Sequence, residues 1–237
     1  CVRCSHFSPL AKSSFFIDVH LFERDCCRLA ELTGGDVDEI QLSGGEPLLH
    51  PEVEKFPYIV RKYFPKTKII IITNATRLKF MKNSFFQACV ENKVEVWISQ
   101  YPINLPYEEI EKMLDSKGIN VTYGNSGNTL DKPKQMWGVP LKIQGGLNGQ
   151  QNFEDCLCMQ YILRDGRMYP CANSAYIDLF NEYFDKRLPG PTCNGVDIFG
   201  VKTLEELTQE LSKSIPLCEY CDAKHRMDGM KGKCYES

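Results

Sequence analysis

Long apolar runs are missing from this chain: the longest purely aliphatic stretch is residues 69–72, against the roughly 20 apolar residues a membrane-spanning helix needs. An excess of positive charge is missing too. Lys and Arg number 28 against 31 Asp and Glu, for a net charge of −3, so no nucleic-acid or membrane partner is expected. Histidine is scarce, at 4 residues, and no Ser-His-Asp set, phosphate-cradling glycine loop or basic–aromatic stripe can be assembled. No basic start followed by an apolar stretch forms a signal peptide. Repeats and low-complexity tracts are likewise absent. With 43% hydrophobic and 25% charged residues, a disordered or fibrous chain is excluded. A length of 237 residues suits one domain, or one domain with a small appendage.

What is abundant is cysteine. Twelve thiols in 237 residues exceed ordinary globular usage and require a cause. Disulfide frameworks staple small secreted domains that cannot bury a core, and this chain is long enough to bury one unaided. The cysteines also fall in close groups: Cys1 with Cys4, Cys156 with Cys158, Cys218 with Cys221. Thiolates a few residues apart can turn toward one centre, so metal or cluster ligation is expected ahead of disulfides. Cys26, Cys27 and Cys89 lie in helical patterns, where a thiol packs as a small hydrophobe.

A strand-then-helix rhythm fills the first half. Residues 38–43, 68–73, 94–101 and 119–124 read as strands. Residues 21–32, 51–64, 78–92 and 106–117 read as helices. Such alternation implies parallel strands joined by crossovers, with chemistry gathered on the loops leaving their carboxyl ends. Three of those loops carry unusual residues: 43–47, 73–75 and 99–102. The rhythm breaks in the Gly-, Asn-, Lys- and Pro-rich stretch 124–149. Beyond it, Arg164-Asp165-Gly166 sits between strand-like runs 161–163 and 167–169 as a hairpin turn. Helices are expected over 177–188 and 204–214. The expected division is a first domain over 1–147 and a second over 148–237.

Two motifs stand out in the early part. Cys1-Val2-Arg3-Cys4 is by itself a zinc half-site or a redox pair. Leu42-Ser43-Gly44-Gly45-Glu46-Pro47-Leu48 puts a double glycine at a strand end, where backbone can approach a ligand closely. Glu46 would place a carboxylate near a ligand amine, although the tetrapeptide alone is no more than a tight turn. In this order, at the ends of early strands of a βα chain, the two motifs resemble the radical S-adenosylmethionine (SAM) superfamily. Cys1 and Cys4 match the second and third cysteines of its C-x-x-x-C-x-x-C motif, whose first cysteine, with the first barrel strand, would precede Cys1. Arg3 stands where the family often has an aromatic residue. Gly44, Gly45 and Glu46 match the Gly-Gly-Glu that binds the amino end of SAM. Thr73-Asn74-Ala75 is similar to the family's Thr-Asn-Gly, and Ser99 occupies a place that commonly contacts the SAM ribose or carboxylate.

The resemblance covers residues 1–145 and implies a partial (β/α)6 TIM-like barrel of the α/β class. It implies Cys1 and Cys4 as catalytic ligands of a 4Fe–4S cluster with one iron left open. Gly44, Gly45, Glu46, Asn74 and Ser99 become the SAM contacts. The implied chemistry is reductive cleavage of SAM to methionine and a 5′-deoxyadenosyl radical, which takes hydrogen from a substrate. Electrons would come from a reductant such as flavodoxin or ferredoxin.

A third group is C-terminal. Cys158 before the hairpin, Cys171 at its end and Cys218-Glu219-Tyr220-Cys221 can bring four thiolates to one point. On spacing alone such a site suits zinc and a fully ligated cluster equally. Within the resemblance, the set is similar to the twitch form of the SPASM extension, a small α+β module with an auxiliary 4Fe–4S cluster. Cys156 competes with Cys158 for the first ligand, and Cys158 is preferred. A cluster with four protein ligands has no open iron, so electron transfer is its implied role. The spacing is close to that of the superfamily's aminoglycoside-biosynthesis dehydrogenases. The expected activity is a cytoplasmic radical SAM oxidoreductase acting on a carbohydrate or related small molecule, with a dehydrogenation-type outcome. Two alternatives stand beside it: radical modification of a peptide, and a zinc-stabilised binding protein without catalysis. His6, Gln100 and Tyr101 are further candidates near the cavity, and His50 is expected to begin the helix after the Gly-Gly-Glu-Pro turn.

Overall fold

The structure is a computed structural model that describes residues 4–101, 103–124, 139–156 and 160–225. The chain gathers into two compact units, Phe16–Lys134 on the one hand and Cys1–Phe15 with Gln135–Ser237 on the other.

In the unit Phe16–Lys134 the expected alternation is present. Helix α1 (Val19–Thr33) starts where the Asp18 carboxylate accepts the His20 and Leu21 N–H groups, at 2.8 and 3.1 Å, and stops at Gly34 in the left-handed conformation (φ 66°). Cys26, Leu29 and Leu32 form its buried stripe, so Cys26 packs as expected. Four parallel strands follow in the order β1 (Glu39–Leu42), β2 (Lys68–Thr73), β3 (Val94–Ser99) and β4 (Val121–Gly124). Between them run α2 (Lys55–Tyr63), α3 (Asn83–Glu91) and α4 (Tyr107–Asp115). The register Ile69–Val94, Ile71–Val96 and Thr73–Ile98 puts six buried side chains on one sheet face. The observed class is mixed α/β around a parallel sheet.

Two helix boundaries differ from the sequence reading for identifiable reasons. A helix from residue 51 would need a Pro57 N–H to bond the Val53 carbonyl, and proline has none. Helix α2 therefore begins at Lys55, leaving Pro57 in the first turn, where no amide finds an intrahelical partner. The expected helix over 78–92 is broken because Met81 and Lys82 are extended (ψ 145° and 156°), which separates a single 3-10 turn, Leu78–Phe80, from α3.

The second unit is built from short elements: α5 (Gly149–Glu154), the hairpin β5 (Ile162–Arg164) and β6 (Arg167–Tyr169), α6 (Ala172–Phe184), α7 (Pro191–Asn194), β7 (Val196–Asp197) and α8 (Leu204–Leu211). Strands β5, β6 and β7 form one antiparallel sheet. Helix α6 begins earlier than expected and ends at Asp185, whose left-handed backbone (φ 50°) terminates it. Its core joins Ile177, Leu179, Phe180, Leu188 and Leu217 to Phe7 and Leu10. The Phe7 and Phe180 rings lie 5.6 Å apart. These contacts tie Phe7 and Leu10 to the C-terminal stretch within the unit Cys1–Phe15 with Gln135–Ser237. Among the described residues no helix is long and apolar enough to cross a membrane.

Candidate functional site

At the carboxyl edge of the parallel sheet, one carboxylate ties two motif loops together. Glu46 caps the 3-10 turn Pro47–Leu49, its Oε1 accepting the Leu48 N–H at 3.2 Å. The same oxygen accepts the Thr73 hydroxyl at 2.6 Å, and Oε2 accepts the Asn74 N–H at 2.9 Å. A carboxylate offers about four lone-pair positions, so three donors fix Glu46 and leave room for another. Burial pushes the Glu46 carboxyl up, against the opposing pull of hydrogen bonds from Thr73, Asn74 and Leu48, and no cation is among the described groups acting on it. Thr73, which the sequence reading left out of the site, is thus the hub of the loop. Besides binding Glu46, its hydroxyl oxygen accepts the Ala75 N–H at 3.1 Å.

Ala75 holds a left-handed backbone (φ 67°). That conformation favours glycine, and it falls where the resembling pattern has one. Asn74 Oδ1 accepts from the Thr76 N–H and hydroxyl, at 2.9 and 2.6 Å, which leaves Asn74 Nδ2 as the group able to meet a ligand. Gly44 and Gly45 connect β1 to the Glu46 cap, and a Cβ on Gly44 would meet open space. Ser99 ends β3 at the same sheet edge, paired with Gly124 of β4. Trp97, two residues earlier, lies against Gly124 so closely that a Cβ there would fall 2.1 Å from the indole nitrogen. That nitrogen is buried without a hydrogen-bond partner. Gly44, Gly45, Glu46, Asn74 and Ser99 are therefore all carried by loops and strand ends of one sheet edge.

His50 does not begin a helix. It closes the 3-10 turn, Nδ1 accepting the Glu52 N–H at 3.1 Å and Nε2 donating to the Ile17 carbonyl at 2.9 Å. Its ring packs edge-on against Phe16 and Phe56, so it is a strut.

The thiols expected as ligands belong to the other unit. Cys1 lies outside the described residues. Cys4 opens a turn in which the Phe7 N–H donates to its carbonyl at 2.9 Å. Burial raises the Cys4 thiol, but hydrogen bonds with His6 and Ser8 outweigh it and bring the pKa down to about 7. In the C-terminal part, Cys171 stands at the N-cap of α6, its thiol 3.4 Å from the Ser174 hydroxyl. Cys218 and Cys221 lie in and just after the 3-10 turn Pro216–Tyr220. Several bonds hold that turn: Leu217 N–H to Asn194 Oδ1 at 3.0 Å, Asn152 Nδ2 to the Cys218 carbonyl at 2.9 Å, and Lys142 N–H to the Tyr220 carbonyl at 2.8 Å.

These thiols share a neighbourhood. Burial raises Cys171 and Cys221, and takes Cys218 to about 11; smaller upward pushes come from the other thiols, Cys156 acting on all three. Cys158 lies outside the described residues, and among those described no three His, Cys, Asp or Glu side chains are drawn together as metal ligands. The donor set is nonetheless of the right chemistry. Three thiols, Cys171, Cys218 and Cys221, whose burial and mutual repulsion oppose ionisation need a cation to become thiolates together. Cys26 and Cys89, by contrast, are buried helix thiols pushed up to about 12, chiefly by burial.

No family model matches this chain, and no curated protein matches it either. Solved structures do. BtrN in complex with AdoMet and 2-DOIA is 16% identical, with a TM-score of 0.52 over 93% of this chain and 87% of that one. Native anSMEcpe with bound AdoMet is 15% identical, with a TM-score of 0.50 over 93% of this chain and 79% of that one. The chain thus has the fold of two proteins whose structures hold AdoMet.

Proposed function

We propose that this chain is a radical SAM enzyme that takes a hydrogen atom from a small-molecule substrate, a carbohydrate or related metabolite. The observation that carries the reading is Glu46, a partly buried carboxylate fixed by donors from two motif loops, with no cation among the described groups acting on it. Three hydrogen bonds leave such a carboxylate able to take an ammonium group as a further partner, and SAM carries one at its methionine end. The open space at Gly44 admits that end to the backbone. Asn74 Nδ2 and the Ser99 hydroxyl, at the same edge, suit the carboxylate and ribose of the same ligand. The shared fold with two AdoMet-holding proteins supports this placement.

Cys1 and Cys4, with a third thiolate, would hold the catalytic 4Fe–4S cluster. Hydrogen bonds with His6 and Ser8 favour the Cys4 thiolate that ligation requires. Bound SAM and a reduced cluster would supply a 5′-deoxyadenosyl radical, with electrons from a partner such as flavodoxin or ferredoxin. Cys171, Cys218 and Cys221 would hold an auxiliary 4Fe–4S cluster with Cys158 or Cys156 as the fourth thiolate, Cys156 being near enough to act on the other three. With four protein ligands that cluster would serve as acceptor for the electron a substrate radical loses as its proton passes to solvent, the balance of a dehydrogenation. That BtrN is in complex with both AdoMet and 2-DOIA favours a discrete small molecule over a peptide. Thiolate–iron sites of this kind suit a reducing cytoplasm.

Anaerobic incubation of the iron-reconstituted, full-length protein with SAM and dithionite is expected to release 5′-deoxyadenosine. Cys4→Ala should abolish that release. Stoichiometric zinc, no iron and no 5′-deoxyadenosine would overturn the reading in favour of a zinc-stabilised binding protein.

A further inference from the structure

Helix α6 bears on both groups of cysteines. Cys171 stands at its N-cap. One turn on, Tyr176 breaks the helical backbone (φ −125°, ψ 15°), and its ring lies 5.1 Å from the His6 imidazole. His6 in turn sits in the tight turn that the Phe7 N–H closes on the Cys4 carbonyl at 2.9 Å, two residues from the Cys4 thiol. From the strand side, the Arg164 guanidinium sits 4.8 Å from the centre of the Tyr176 ring, a cation–π distance. Arg164 is itself fixed: its two Nη atoms meet the two Asp178 carboxylate oxygens at 3.0 and 2.9 Å, Nη1 also donates to the Ala175 carbonyl, and Nε donates to Asp165 at 3.1 Å.

This arrangement is a clamp and not a ligand site. A guanidinium has five N–H donors, and four donor contacts here are committed to protein acceptors, so Arg164 offers little to a substrate. The bidentate ion pair instead pins the cation over the tyrosine ring, and the ring presses on His6. A kink inside a helix costs backbone hydrogen bonding; here it falls at the residue that reaches the Cys4 loop. The loop is anchored on its other side by Phe7, 3% exposed in the core that α6 forms with Leu217.

We propose that Tyr176 is a positioning residue for the Cys4 sulfur, acting through His6, so that one helix sets the surroundings of the catalytic cluster while supplying an auxiliary thiol. This rests on the radical SAM reading above and concerns the ring packing, not the Tyr176 hydroxyl.

The test uses the full-length protein reconstituted anaerobically with iron and sulfide. Iron per chain, the reduced-state EPR spectrum with and without SAM, and the midpoint potential of the SAM-responsive signal are measured. Tyr176→Phe is expected to match the wild type in all three. Tyr176→Leu is expected to retain its iron while shifting the midpoint potential and altering the SAM-responsive line shape. His6→Leu should shift both in the same direction, and the double variant should shift no further than either single one, because the two act in series. Wild-type potential and line shape in an iron-loaded Tyr176→Leu protein would sink the proposal, as would fully additive shifts. Should Tyr176→Leu fail to fold by circular dichroism, His6→Leu alone decides: an unmoved potential and line shape count against the role. A wild-type protein with no SAM-responsive cluster refutes the functional reading itself, which separates that failure from this one.

Discussion

The residue that decides most is Glu46. Its two oxygens accept from the Thr73 hydroxyl and from the backbone of Leu48 and Asn74, so its position is set before any ligand arrives. That pre-organisation is what makes a single charge useful, because no side chain has to be ordered at the moment of binding. Glu46→Gln keeps the shape but removes the charge, and its amide nitrogen must face one of the donors. Charge-assisted hydrogen bonds contribute about 1.5–3 kcal/mol, so SAM affinity is expected to fall roughly tenfold to a hundredfold, read by calorimetry without any reductant. Unchanged affinity would remove Glu46 from the site.

The pH dependence follows from the raised carboxyl. As pH falls through mildly acidic values, Glu46 takes up a proton earlier than an ordinary glutamate, and SAM binding should weaken at correspondingly higher pH. The sign for stability is opposite. An acid whose folded-state pKa is raised binds more protons folded than unfolded. Its burial cost is therefore fully present above the folded pKa and relieved as pH drops below the unfolded one. A titration in which binding weakens while the fold does not separates the two effects.

At the scale of elements, the strands were the most legible part. Residues 68–73 form β2 at the expected bounds, because a run of isoleucines between polar ends fits a buried strand and little else. The hairpin was legible for its turn chemistry: Asp165 and Gly166 both have positive φ, 52° and 73°, the conformation two-residue hairpins select. Helix ends were harder to place, since they depended on backbone details such as Pro57 and the extended pair Met81 and Lys82. The hairpin yields a direct test. Gly166 also offers its carbonyl to the Ile198 N–H at 3.0 Å, so the turn holds β7 in reach as well. Gly166→Ala forces a Cβ into the left-handed region at a cost of about 1–2 kcal/mol. The urea midpoint of unfolding should drop accordingly, whereas Asp165→Asn, a residue that tolerates this conformation, should leave it nearly in place. Equal midpoints for Gly166→Ala and the parent would show that the turn does not constrain the unit.

For the whole molecule, the sequence motifs of the sheet edge predicted which loops would meet, but nothing local predicted that Phe7 and Leu10 would be core residues of the C-terminal stretch. That pairing joins positions more than 160 residues apart, and hydrophobic periodicity carries no information at that range. The same holds for Tyr176 and Arg164, whose partners on the Cys4 loop and on α6 itself emerge only from packing.

The division into units has a measurable consequence for metal loading. All the thiols proposed as ligands lie in Cys1–Phe15 with Gln135–Ser237, and none in Phe16–Lys134. A group that binds only the folded state stabilises what it is bound to, and thiolate sites couple metal binding to folding. Removing iron with a chelator should therefore lower hydrogen-exchange protection in α6 and in the turn Pro216–Tyr220 by at least about tenfold. Amides of β2 and β3 should change far less, because their protection comes from the parallel ladder and the buried isoleucines and valines around it. Zinc added to the stripped protein should restore protection at the turn Pro216–Tyr220 without restoring 5′-deoxyadenosine release, since a closed tetrahedral thiolate site has no redox chemistry to supply. If chelation loosens β2 and β3 as much as α6, the thiols are not the seat of the metal, or the two units do not unfold as separate bodies.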